Sequence, residues 1–203
     1  FKGYRSHPDD PPFPSTLCVS VNEEIVHGLG DRRLKLKEGD VVGLDIGCWY
    51  EGLCTDMAVT VGVGKISPKA QKLIRVTRAS LIAGIKAAKV GGVISDIAHA
   101  VESYVKPHGY GIVRALVGHG VGHAVHEAPH VPNYVSDRYP RVLIQEGMCL
   151  ALEPMIALGR HDVETGKDGW CVVMKDHSVG AHFEVTIAMT KESGAEILTP
   201  LPV

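Results

Sequence analysis

Several function classes are excluded by what the sequence does not contain. No dense run of Lys or Arg is present, and 21 basic against 23 acidic residues give a net charge of -2, so nothing here would follow a nucleic-acid backbone. No apolar stretch approaches the ~18 residues needed to cross a bilayer, and the N-terminus has no basic-then-apolar leader pattern. The five cysteines (Cys18, Cys48, Cys54, Cys149 and Cys171) are odd in number, scattered and free of CxxC spacing. That argues against a disulfide framework and against a zinc ribbon, and suits a reducing compartment. The expectation is a soluble cytoplasmic protein with no membrane or nucleic-acid partner. The chain opens at Phe1 rather than Met, and an N-terminal piece is expected to be missing from it. A length of 203 residues with 45% hydrophobic content is enough for one substantial core.

What is present reads as α+β. The proline-rich opening, with four prolines between His7 and Pro14, passes into the alternating Leu17, Val19 and Val21 of a strand. Two β-branched segments between Asp40 and Val63 flank a turn at Tyr50-Glu51-Gly52, which predicts a hairpin. Ser67-Pro68 is an N-cap and first-turn pair. The helix it starts carries Leu73, Val76, Ser80, Ile82 and Ile85 on its apolar face as far as Gly91-Gly92. A second helix is expected from Ser95, burying Ile97, Ala98, Val101 and Val105 and ending near Pro107 and Gly109. Strand character returns at Met148 to Ala157, Trp170 to Met174 and Phe183 to Met189.

A nine-residue repeat is more telling. Lys37 to Asp45 and Gln145 to Glu153 each place an acid six residues after a Glu-Gly pair. Side chains alternate along a strand, so Asp45 shares a face with Gly43 and Glu153 with Ala151, each acid lying over a patch cleared of bulk. Two related strands presenting one carboxylate each suggest pseudo-symmetric halves with a site between them.

Asp45, Asp56, Glu153 and Glu184 all lie in apolar strand-like segments, where an unbalanced carboxylate costs several kcal/mol. Any one of them alone could be an ordinary hydrogen-bonded acid. Four together, with no Arg or Lys in the same segments, call for another source of positive charge. Divalent cations supply it: an oxygen-rich set with one imidazole suits Mn, Fe, Co or Zn, and four carboxylates suffice for two ions sharing bridging oxygens. Four histidines cluster in twelve residues, at 119, 123, 126 and 130, behind glycines 118, 120 and 122. The GxGxG spacing alone is a weak phosphate signal. His126-Glu127-Ala128-Pro129-His130 has the HExxH letters of zinc proteases, but that motif needs a helix, which Pro129 opposes. His123 and His130 are expected to be solvent-exposed or loop histidines.

These residues closely resemble type I methionine aminopeptidases over nearly the whole chain. The matching pieces are Phe13-Pro14, Cys18 to Glu23, His27-Gly28, Asp45 and Asp56 eleven apart, Gly118 to Gly122, His126-Glu127 with Pro129, Leu152 to Met155, and Phe183-Glu184 with Thr186. The resemblance implies the pita-bread fold, residues 1–203 forming one catalytic domain of two αβ halves around a dinuclear centre. It implies removal of the initiator methionine from nascent proteins, with a small second residue preferred. Asp45 and Asp56 would bind one metal, while Asp56, His119, Glu153 and Glu184 would bind the second, Asp56 and Glu184 bridging. His126 would hydrogen-bond the substrate near the scissile bond, His27 would contact the peptide beyond the methionine, and Glu153 would pass a proton to the leaving amine. Tyr4, Cys18 and Trp170 would join His27 and His126 in binding substrate, although Trp170 as plain core is an open alternative. The implied partners are nascent N-termini at the ribosome, met by a monomer.

Departures from the family pattern are Val125, where an aromatic is usual, and His182 and Val185, where Gln and His are usual. The first would widen the methionine pocket and the second would alter tuning of the metals. Two rival readings are a pita-bread peptidase specific for proline or for dipeptides, which would keep the ligands, and a catalytically silent binding protein, whose mark would be the loss of ligands that are all present here. A metal-buffering protein is a third.

Overall fold

The computed structural model describes residues 1–5, 8–9, 11–192 and 194–201. His7 of the proline-rich opening lies outside them; the described part of that opening is irregular backbone, as expected. Strands β1 (Cys18–Val21) and β2 (Glu24–Val26) precede the long hairpin β3 (Val41–Tyr50) and β4 (Leu53–Gly62). Helices α1 (Pro68–Ala87) and α2 (Ile94–Val105) follow, then β5 (Gly111–Ile112), β6 (Gly118–Gly120), β7 (Glu127–Val131), β8 (Cys149–Leu152) and β9 (Met155–Ala157). β10 (Val163–Thr165), β11 (Val172–Met174), β12 (Gly180–His182), β13 (Val185–Thr190) and β14 (Gly194–Ile197) complete the order. No helix among the described residues is long and apolar enough to cross a membrane, and all five cysteines are unpaired.

The hairpin turn is confined to Glu51-Gly52, both at positive φ (49° and 83°), the geometry that matches the twist of paired strands. Ser67 caps α1 by accepting from the Ala70 N–H. The buried face of α1 is one residue out of phase with the sequence reading at its centre: Leu73, Val76, Thr77, Ser80, Leu81 and Gly84 are buried, whereas Ile82 is half exposed. Leu81 belongs to the main core with Ile97, Leu150, Leu152, Phe183, Val185 and Ile187, which lies between the helices and the five-stranded sheet β14-β13-β8-β6-β7. Leu81→Ala should therefore cost about 2–5 kcal/mol in denaturant unfolding, and Ile82→Ala about 1 kcal/mol or less. The second helix starts before Ser95, at Ile94, because the Asp96 carboxylate accepts from the Val93 N–H and caps the chain there. β1 also has the opposite phase: Cys18 and Ser20 point inward, while Leu17, Val19 and Val21 are half exposed. Pairing of Cys18 with Asp45 turns the small polar face of β1 towards the acids.

The internal repeat is a repeat of structure. Gly39 and Gly147 both have positive φ (98° and 85°). Their N–H groups donate to the carbonyls of Val63 and Met189, at 2.9 and 2.8 Å, and the N–H groups of Val63 and Met189 donate back to Asp40 and Met148. Each turn launches an antiparallel ladder, β3 with β4 in one half and β8–β9 with β13–β12 in the other. Following the two registers, Asp45 corresponds to Glu153, and Gly47 opposite Asp56 corresponds to Met155 opposite His182. The halves meet at an antiparallel bridge between Ala58 and Glu184, whose backbone N–H groups each donate to the other's carbonyl.

Candidate metal centre

The four acids expected at the centre converge on this junction. Asp45 lies on β3, Asp56 on β4, Glu153 just past β8 and Glu184 just before β13, at 8%, 4%, 9% and 2% exposure. Burial, followed by repulsion from Asp56, holds Asp45 well above the usual carboxylate range; Glu153 and Glu184 are raised for the same reasons. Burial pushes Asp56 up to about 7. One oxygen of Asp45 is buried without a hydrogen-bond partner, and no Lys or Arg lines the cavity. Carboxylates crowded in this way, with a lone pair unused and no basic side chain opposite them, are a donor set suited to divalent metal.

His119 supplies the imidazole. It sits on β6 with Nδ1 bonded to the Gly120 carbonyl at 2.9 Å, which makes Nδ1 the protonated nitrogen and leaves Nε2 as a lone-pair donor, 3.3 Å from Glu153 Oε1. Burial lowers its pKa to about 4, so it stays neutral, as a metal ligand must. Ligand atoms of Asp56, His119 and Glu184 all lie within 4.8 Å of one another. Gly118, next to His119, cannot carry a side chain, since a Cβ there would stand 2.3 Å from the Ala151 carbonyl oxygen. Gly118 thus serves close packing of β6 on β8, and Gly120, where a Cβ would stand 2.3 Å from the Ala128 carbonyl oxygen, serves close packing on β7.

His126 lies at the mouth of the same cavity, edge-on to His119 with ring centroids 4.3 Å apart, and its Nδ1 is 2.8 Å from the Tyr4 hydroxyl. Burial lowers its pKa as well. The HExxH segment beyond it is extended in β7, with Glu127 accepting from the Ala124 N–H, so the zinc-protease geometry is not formed. His123 and His130 are exposed, as expected. His27 follows β2 in a left-handed conformation (φ 60°) and lines the cavity, its pKa lowered by burial to about 4. Non-glycine residues are held at such angles only where their surroundings demand it.

The cavity as a whole is about 100 Å³, and away from the acids and histidines its wall is largely apolar. Cys18 and Trp170 line it, as the resemblance implies, and so does Tyr4. Burial, with Asp45 and Asp56 nearby, raises the Cys18 thiol, so it contributes a neutral sulfur surface. Trp170 is half buried and packs edge-on against Phe13, with centroids 5.3 Å apart. Phe1, Phe13 and Val26 also form the wall. Sequence reasoning did not assign them, because loop aromatics and a strand-end valine carry no periodic signal. Val125 is not among the residues that line the cavity; it packs against Cys54, Val121 and Ala151. His182, noted only as a departure, reaches the cavity with Nε2 3.6 Å from Glu153 Oε2.

Two threonines tie the ladders together. The Asp56 N–H donates to Thr186 Oγ1 and the Thr186 hydroxyl donates to the Asp56 carbonyl, both at 2.8 Å. Thr60 does the same for His182, at 2.8 and 2.7 Å. Each threonine satisfies two buried backbone groups where the ladders of the halves diverge, fixing the segment that carries a site residue.

The family model for metallopeptidase family M24 matches residues 2–191. A methionine aminopeptidase of Borreliella burgdorferi is 48% identical over 93% of the chain and 72% of its own length. The crystal structure of a methionine aminopeptidase from Thermotoga maritima superimposes with a TM-score of 0.86 at 45% identity, covering 90% of this chain and 73% of that one. A prolidase from Pyrococcus furiosus shares the fold, with a TM-score of 0.73 at 23% identity, over 91% of this chain and 49% of its own.

Proposed function

The chain belongs to metallopeptidase family M24, and we propose that it is a hydrolase that removes the N-terminal methionine of nascent proteins at the centre formed by Asp45, Asp56, His119, Glu153 and Glu184. The convergence of four buried carboxylates and one neutral imidazole at the base of an aromatic-walled cavity carries this reading. Asp45 and Asp56 would hold one divalent ion; Asp56, Glu184, His119 and Glu153 would hold the other. Mn, Fe, Co and Zn all suit that donor set. When bound, the ions supply charge balance and the Lewis acidity that makes water nucleophilic at neutral pH.

The protein's own groups do the rest. The wall of Phe13, Cys18 and Trp170 receives the methionine side chain, an unbranched thioether that packs well on aromatic edges and on a neutral thiol. Tyr4 holds Nδ1 of His126, leaving Nε2 to hydrogen-bond the substrate beside the scissile bond. His27, on its strained backbone, contacts the residue after the methionine. Glu153, whose carboxylate faces both His119 and His182, would pass a proton to the leaving amine. Residues 1–203 act as one catalytic unit, and the substrates are N-termini emerging at the ribosome.

Stripping the protein with chelator should abolish methionine release from Met-Gly and Met-Ala peptides, and stepwise return of Mn or Co should restore it while Leu-Gly and Xaa-Pro peptides stay uncut. Cleavage of the proline peptide alone would move the site to the specificity of a proline peptidase. Metal binding without turnover of any peptide would leave a silent binding protein.

A further inference from the structure

The metal-centre reading uses five side chains, but a sixth lies in the same cavity. His182 is 3% exposed, and its Nε2 is fully buried with no hydrogen-bond partner. Leaving a buried nitrogen unpaired is unfavourable, so such an atom calls for a partner. The group facing it is Glu153. Nε2 of His182 stands 3.6 Å from Oε2, while Nε2 of His119 stands 3.3 Å from Oε1 of the same carboxylate. The distance on the His182 side is too long for a hydrogen bond. It is near the separation of two donors on one cation, which is roughly 3 to 3.5 Å when each bond is about 2 Å.

The internal two-fold points the same way. Gly47 opposite Asp56 in one ladder corresponds to Met155 opposite His182 in the other, so His182 occupies the place that Asp56 holds in the first half. The backbone is held identically at both places: Thr186 brackets the N–H and carbonyl of Asp56, and Thr60, its counterpart, brackets those of His182. In the first half, Asp45 and Asp56 project from adjacent strands towards the centre. In the second, Glu153 and His182 do so.

Building on the metal-centre reading, we infer that His182 is a sixth ligand of that centre, a second imidazole bound beside Glu153 where the pseudo-symmetry equates it with Asp56. A centre with two imidazoles favours Zn, Fe and Co over Mn relative to a centre with one, because nitrogen suits the former ions better and oxygen suits Mn. The Gln expected here by resemblance is the natural comparison, being polar, close in size and a far poorer donor.

The test compares the metal-free protein with His182→Gln. Competition against a chelator should show Co binding weakened roughly tenfold or more in the variant while Mn binding changes little, so that the Co-to-Mn preference falls. Proton NMR of the Co-loaded wild-type protein should show two exchangeable, paramagnetically shifted imidazole N–H resonances, and the variant should retain only that of His119. This count in the wild type stands even if the variant folds poorly. One such resonance in the wild type, or an unchanged Co-to-Mn preference in a folded variant, would overturn ligation by His182 and leave the five-ligand centre intact. Failure of the wild type to bind Co or Mn at all would overturn both the inference and the metal-centre reading.

Discussion

Replacing Asp56 by Asn should make the metal-stripped protein more heat-stable at pH 8 and, with metal restored, lower its hydrolytic rate by about 10³-fold or more. Both effects have one cause. Burial holds the Asp56 carboxyl at about 7, far above its ordinary 3.8, and Asp45, Glu153 and Glu184 are raised alongside it. An acid whose pKa is higher folded than unfolded stabilises the fold fully below its unfolded value, and that stabilisation is lost as pH rises through the folded one. For Asp56 the displacement from 3.8 to about 7 corresponds to at most about 4 kcal/mol at pH 8. At about 2–4 °C per kcal/mol for a chain of this size, relief of part of it should raise the melting temperature by about 5 °C.

The histidines act in the opposite sense. His27 and His119 are lowered to about 4 and His182 to about 3, each chiefly by burial, so their stabilisation is present above 6.5 and is lost as pH falls towards 4. The carboxylates therefore dominate only above pH 6.5. In chelator, the wild-type melting temperature should fall between pH 6.5 and 8.5, and Mn or Co should reverse the fall. Calorimetric scans of both proteins across that window check the prediction. A wild-type curve that stays flat in chelator, or an Asn variant that still gains stability from metal as the wild type does, would show that the acids are not an uncompensated cluster.

His126→Ala should lower kcat by about 10²- to 10³-fold with metal content and KM little changed. The Nδ1 of His126 is bonded to Tyr4, and the role proposed for His126 is towards the substrate rather than the ions. Tyr4→Phe should have a smaller effect in the same direction, about tenfold, because the ring keeps its edge contact with His126 and loses only the hydrogen bond that orients it. Steady-state kinetics on a Met-Ala peptide, read with elemental analysis of each variant, separates these roles. Loss of metal in step with loss of rate would make His126 a ligand instead.

The sites were readable to different depths. Asp45, Asp56, Glu153 and Glu184 stood out in one dimension because a carboxylate in an apolar strand with no basic neighbour is costly whatever the fold, and the structure brings all four together. His119 was one of four clustered histidines until the family resemblance singled it out; its selection depends on the Gly120 carbonyl and on the packing of β6 against β8. His182 was invisible as a donor. Its neighbours Ala181 and Phe183 are apolar and buried, and only the ladder register shows that it mirrors Asp56.

By itself the sequence determined the local elements and the charge problem: the two-residue hairpin turn, the Ser67 cap, the repeated Glu-Gly turn and the four acids placed six residues after it or on the partner strands. These follow from steric and solvation costs paid residue by residue. The tertiary structure decided which faces are inside. Leu81 rather than Ile82 meets the core, and Cys18 and Ser20 rather than the valines of β1 face the acids. It alone placed Phe1, Phe13 and Val26 around the cavity and turned Val125 away from it. The phase of a helix or strand is set by what packs against it, and here the partners come from segments up to 130 residues away, as in the Thr186 bonds to Asp56.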